Sequence, residues 1–203
     1  MTIIRFISRT CIIWLSTTAL AHADPLKIVE VAAPAVNCVF ETSCTVPVSD
    51  TTGSVPLGFA SGKPFLQSRT FAGGQGAPAA GLTGYEYRVD LTSAAGAVEC
   101  LLGLVVNFGP VQTLPYKANT PAQVYVVKQG GLGSVGLKSA EQDGAVISFA
   151  FDKPLCVGNT EGHGESTFFF GLASKKAPHT IQAGMWGYGS PAFVGLDARA
   201  PDH

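Results

Sequence analysis

Between residues 85 and 91 apolar and charged side chains alternate, with Tyr85, Tyr87, Val89 and Leu91 on one face and Glu86, Arg88 and Asp90 on the other. This period of two predicts a half-buried strand. Continuous β-branched or aromatic runs at 100–108, 124–128, 145–151 and 167–172 are each bounded by Gly, Pro, Asn or Asp. They predict central strands covered on both faces. Weaker strand signals lie at 26–32, 39–48, 67–71, 180–185 and 193–198. Beyond residue 24 the longest stretches free of Gly and Pro, 35–46 and 85–95, are only 12 and 11 residues long. Helices of ordinary length scarcely fit, and the expected fold is all-β: a disulfide-bonded antiparallel β-sandwich of jelly-roll or immunoglobulin-like type. The run 73–81, rich in Gly and Ala, lacks an apolar period and reads as a flexible connection inside one domain.

The first residues carry a different signal. Arg5 and Arg9 precede the apolar run 11–15, which passes through Ser16, Thr17 and Thr18 to the small residues Ala19, Ala21 and Ala23. A spanning helix needs about 20 predominantly apolar residues, so this segment reads as a signal peptide over 1–23, cleaved after Ala23. Residues 24–203 then form a single β-sandwich domain, secreted or periplasmic, with no membrane span after cleavage. Only 13% of the chain is charged. Cleavage removes two arginines and no acid, leaving 11 Lys and Arg against 14 Asp and Glu. A nucleic-acid partner, which needs clustered cations, is not expected.

Four cysteines follow the leader: Cys38, Cys44, Cys100 and Cys156. In an oxidising compartment an even number points to two bridges, for which three pairings exist. The favoured pairing is Cys38 with Cys44 and Cys100 with Cys156, since the first pair flanks five residues and the second lies in or beside apolar segments. A zinc site would want closer spacing or neighbouring histidines.

Three further patterns invite chemistry. Gly131-Leu132-Gly133-Ser134-Val135-Gly136 matches a dinucleotide fingerprint, but 137–143 is too short for the crossover helix which that fingerprint requires. Its glycines read as a turn needing positive φ. The polar loop 158–166 holds Glu161, His163 and Glu165, groups suited to a cation or to acid-base work and equally ordinary in a solvated loop. Trp186 and Tyr188 sit among turn residues, where aromatics stack on sugars or anchor a protein partner, although a core position is the commoner fate of a tryptophan. No GxSxG elbow accompanies the few histidines, so a hydrolase triad is not expected.

In the segments 85–91, 130–136 and 166–174 the chain resembles uncharacterised secreted bacterial β-sandwich proteins, some of which carry a C-terminal Pro-Glu-Pro type sorting tail. That tail is absent here, since residues 196–203 contain no apolar span. The resemblance implies an exported or surface-associated domain without an assigned activity. The leading functional expectation is a non-enzymatic domain, without a cofactor, that binds a glycan or cell-surface protein through its loops, with Trp186, Tyr188 and His163 as ligand-binding candidates. The alternative is a copper-binding protein or copper monooxygenase. In it, cleavage after Ala21 exposes His22, whose amino group and imidazole join His163 or His179 as metal ligands.

Overall fold

A computed structural model describes residues 23–58, 60–97, 99–118, 120–187 and 195–202. Two six-stranded sheets dominate it, with strands numbered here in chain order. The first sheet runs β1 (Asp24–Pro25), β12 (Leu137–Asp143), β13 (Val146–Cys156), β8 (Cys100–Asn107), β15 (Pro178–Gly187) and β16 (Leu196–Pro201). The second runs β2 (Ile28–Ala32), β11 (Val124–Gln129), β14 (Phe170–Ser174), β6 (Thr83–Asp90), β5 (Phe65–Ala72) and β3 (Ser49–Ser54). Two short pairs complete the strands: β9 (Leu114–Lys117) with β10 (Thr120–Ala122), and β4 (Ala60–Ser61) with β7 (Ala95–Gly96). The fold is an all-β sandwich with two disulfides, and pairing within the large sheets is antiparallel except between β2 and β11.

The inner faces meet in one apolar core. Leu104, Val106, Ile147, Phe149 and Met185 of the first sheet face Tyr85, Tyr87, Val89, Val126, Phe170 and Leu172 of the second. Tyrosine is tolerated there because each hydroxyl finds a partner. The Tyr85 hydroxyl donates to the Lys176 carbonyl at 2.8 Å and the Tyr87 hydroxyl to the Arg199 carbonyl at 2.7 Å, tying β6 to the far layer.

A third layer covers the outer face of the second sheet. Helix α1 (Ala33–Phe40) starts with Pro in its first turn and turns Val36, Val39 and Phe40 inward. These side chains pack with Phe71, Tyr116, Tyr125 and Ala79 into a second apolar cluster. The expected strand 39–48 is therefore replaced by the end of a helix and a turn that the Cys38–Cys44 disulfide closes. The expected flexible connection 73–81 is instead packed: Gly74 N–H donates to Phe40 O and Ala79 N–H to Val39 O, capping the helix end. Both differences have one cause, because the outer face of β11 and β14 is apolar and must be covered.

This layer also overturns the half-buried reading of 85–91. Glu86 and Asp90 are buried at 5% and 6% exposure, against 0% for Tyr85, Tyr87, Val89 and Leu91, and only Arg88 stays part-exposed. Conversely, the runs 100–108 and 145–151, expected to be covered on both sides, each turn one face to solvent. Along β13 buried Ile147, Phe149 and Phe151 alternate with exposed Val146 and Asp152 and part-exposed Ser148 and Ala150. Of the run 124–128, residues 124–127 are buried and Lys128 is part-exposed; of the run 167–172, Phe168 is part-exposed and only 170–172 belong to a strand, β14, which is buried throughout. Strands β3, β9, β10 and β12 give no strong apolar pattern; β3 is a sheet edge, β9 and β10 form a separate pair, and β12 is flanked on its outer side only by the two-residue β1. Among the described residues no helix is long and apolar enough to cross a membrane.

Candidate functional site

Trp186 lies on a strand and not in a loop. It pairs with Gly103 of β8, Gly103 pairs with Ala150 of β13, and Ala150 with Ser139 of β12. The next row on the same face reads Gly184, Val105, Ser148 and Glu141. Met185 points the other way, into the core. Trp186 is therefore on the solvent side of the first sheet, part-exposed, and its benzo edge covers Gly103 so closely that a Cβ there would overlap the ring. Within its own row the neighbours Gly103, Ala150 and Ser139 are small, and the next row adds Val105 and Glu141. Tyr188 falls outside the described residues.

His163 is exposed in the 158–166 loop, with its Nδ1 2.9 Å from the Thr160 hydroxyl. Glu165 in the same loop is occupied by the scaffold: its carboxylate meets Lys153 Nζ at 2.6 Å and accepts the Cys156 N–H at 3.0 Å. Burial pushes this carboxyl up, but the ammonium and the N–H outweigh it and hold Glu165 below the usual range. His179, on β15, has its Nδ1 3.1 Å from the Ala200 carbonyl. The loop holding His163 is bonded beside Thr92, beyond the end of β6, whereas Lys176, three residues before His179, bonds Tyr85 near that strand's start. Among the described residues no group of three or more His, Cys, Asp or Glu side chains is placed to hold a metal. His22 falls outside the described residues.

The structure joins Cys38 to Cys44 and Cys100 to Cys156, the latter directly across the β8–β13 pair. Such bridges are the chemistry of an oxidising compartment. Gly130 and Gly133 of the glycine-rich turn have φ of 72° and 101°, while Gly131 and Gly136 do not need positive φ. That turn leads into β12 and not into a helix.

Sequence reasoning missed a charged cluster under α1. Asp50, Arg69 and Glu86 come from β3, β5 and β6, neighbouring strands that project them onto the same outer face. Arg69 gives Nε and Nη2 to the two oxygens of Asp50, at 2.9 and 3.2 Å. Its Nη1 stays 3.8 Å from Glu86 Oε2, beyond hydrogen-bond length. Glu86 Oε1 accepts the buried Tyr125 hydroxyl at 3.0 Å. Phe169 carries the Arg69 guanidinium 4.5 Å from its ring centre, and Arg88 lies 5.5 Å from the same centre. Arg88 is itself paired to Asp90 at 2.7 Å. Glu86, Arg88 and Asp90 were visible as the polar face of 85–91, but only the covering layer buries Glu86, while Arg69 and Asp50 stay 26% and 39% exposed at the cluster's outer end.

Burial pushes the Glu86 carboxyl up to about 7, with Asp50 adding to the rise and Tyr125 and Arg69 opposing it. Its folded pKa thus exceeds the ordinary value of about 4.5, so protonation stabilises the fold. That stability is complete below about pH 4.5 and is lost as the pH rises through about 7, an effect of about 3 kcal/mol at most. Urea unfolding at pH 5 and pH 8 is expected to show this decline in the wild-type chain, and Glu86→Gln to remove it. An equal decline in the variant would place its source elsewhere.

Searches against protein-family models, curated proteins and solved structures return no match to this chain.

Proposed function

We propose that this protein is an exported, non-enzymatic binding domain whose ligand face is the open side of the first sheet, with a glycan as ligand and Trp186 as the stacking platform. The observation that carries the reading is the position of Trp186. It is a large, part-exposed aromatic on the outer face of the first sheet, its ring laid over Gly103 with Ala150 and Ser139 next in the same row, and the face turned from Gly103 is available to a sugar ring. Export is supported by the basic, apolar and small-residue order of the first 23 residues and by two disulfides. A flat sheet face also suits a protein surface, and the test separates the two.

Cleavage after residue 23 leaves Trp186 as the sole tryptophan, the other being Trp14. Its fluorescence therefore reports this face alone. Titration with cello-, chito- and malto-oligosaccharides is expected to shift that emission for at least one series. Trp186→Ala is expected to keep the wild-type far-ultraviolet spectrum and a cooperative melt while losing retention in gels containing the matching polysaccharide. A folded Trp186→Ala protein with undiminished retention removes Trp186 from the site. A silent panel removes the glycan and leaves the protein partner.

A further inference from the structure

Beneath the exposed tip of the 130–132 turn, between α1 and the second sheet, lies a cavity of about 200 Å³. Glu86 and Arg69 line its polar end, with Asn37 beside them, and Val36, Val127 and Leu132 line its apolar walls. It lies on the opposite sheet from Trp186, so the argument is independent of the glycan reading.

The charges do not balance. Asp50 takes two donors of Arg69 in a bidentate pair, which neutralises the guanidinium. Glu86 is left with one neutral donor, the Tyr125 hydroxyl on Oε1. Its Oε2 has no hydrogen bond among the described residues, the nearest cationic nitrogen being 3.8 Å away. Oε2 is not sealed from solvent, and Glu86 lines a space large enough for a small molecule, so a donor from outside the chain can reach it. With Glu86 ionised the cluster carries one net negative charge, so it attracts a cation and disfavours an anion.

The walls narrow the class of cation. Leu132 is 61% exposed at the cavity mouth, and Val36 and Val127 are apolar. A hydrated inorganic ion gains nothing from such surfaces, whereas an alkyl or aryl group buries its own apolar area against them. The volume lies below the usual range of about 300–1,000 Å³ for drug-sized ligands, which limits the occupant to a small molecule or a single side chain.

We infer that this cavity binds an organic ammonium group with a short apolar stem, its N–H donated to Glu86 Oε2 and its stem laid against Val36, Val127 and Leu132. Two sources share that chemistry, a free primary amine and a lysine side chain of a partner protein.

Calorimetric titration of the mature chain at pH 8 with benzylamine and butylamine, and with Nα-acetyl-lysine methylamide, tests the site and distinguishes the sources. At least one is expected to bind: preference for the simple amines indicates a free ligand, and preference for the lysine derivative a protein. Benzyl alcohol and benzoate, which share the stem without the cation, are expected to bind at least about tenfold more weakly than benzylamine. Glu86→Gln is expected to cost about tenfold or more in amine affinity. Ala33→Leu keeps the carboxylate, fills the cavity beside α1, and is expected to abolish binding; wild-type far-ultraviolet spectra show that both variants fold. Benzoate or benzyl alcohol binding as tightly as benzylamine, undiminished binding by folded Glu86→Gln, or calcium chloride binding in place of every amine overturns the assignment. So does no heat from any of the three amines.

Discussion

Replacing Cys100 and Cys156 together by alanine is expected to lower the free energy of unfolding by about 4 kcal/mol, against about 2 kcal/mol for the Cys38 and Cys44 pair. In the chain-entropy account a cross-link stabilises by restricting the unfolded chain, and its effect grows with the logarithm of the loop closed. The two bridges span 56 and 6 residues, so the same chemistry is applied to loops of very different length. Cys100 and Cys156 also face each other across two adjacent strands, where alanine leaves the backbone ladder intact. Urea unfolding with linear extrapolation measures both losses on one scale. Equal losses would overturn the loop-closure account.

Phe170→Ala is expected to cost about 3–5 kcal/mol, while Phe168→Ala costs about 1–2 kcal/mol. The Phe170 side chain is 1% exposed in the central core, 5.0 Å from the Phe149 ring and 6.0 Å from that of Tyr87. Its removal leaves a cavity between the sheets that neighbouring strands cannot close. Phe168 is only partly buried at the margin of that core, so the truncated site admits water. Midpoints of chemical unfolding for the two variants, compared at equal m-value, measure the contrast. A Phe168→Ala loss as large as that of Phe170→Ala would place the centre of the core elsewhere.

The three consecutive phenylalanines show how far the pattern of side chains reaches. Their run predicts a strand over 167–172 covered on both faces; the strand that forms starts at Phe170 and runs to Ser174, leaving Phe168 and Phe169 before it. Nothing in the run says that Phe170 meets Phe149 while Phe169, facing away, lies under two guanidinium groups. Similarly, the alternation at 85–91 correctly sends Tyr85, Tyr87 and Val89 inward. It misplaces Glu86 because alternation reports only that two faces differ, not what covers the second. Trp186 shows the reverse case, since its turn-like neighbours suggest a loop, whereas β8 pairs with it and makes it part of an open sheet face.

The sequence by itself determined the class of this protein. Short apolar runs interrupted by Gly and Pro exclude a helical core, the inward residues follow from the strand period, and the spacing of four cysteines favours the pairing that forms. The first two are local properties, set by backbone geometry and by neighbours along the chain, while the pairing rests on the number and spacing of cysteines. Only the tertiary structure decided the third layer and the sites. Burying Glu86 depends on α1, which begins 53 residues earlier in the chain, and on the turn that follows β11. The charge of that carboxylate and the exposure of Trp186 are set by what packs above each sheet, and contacts between segments so far apart along the chain leave no periodic trace in it.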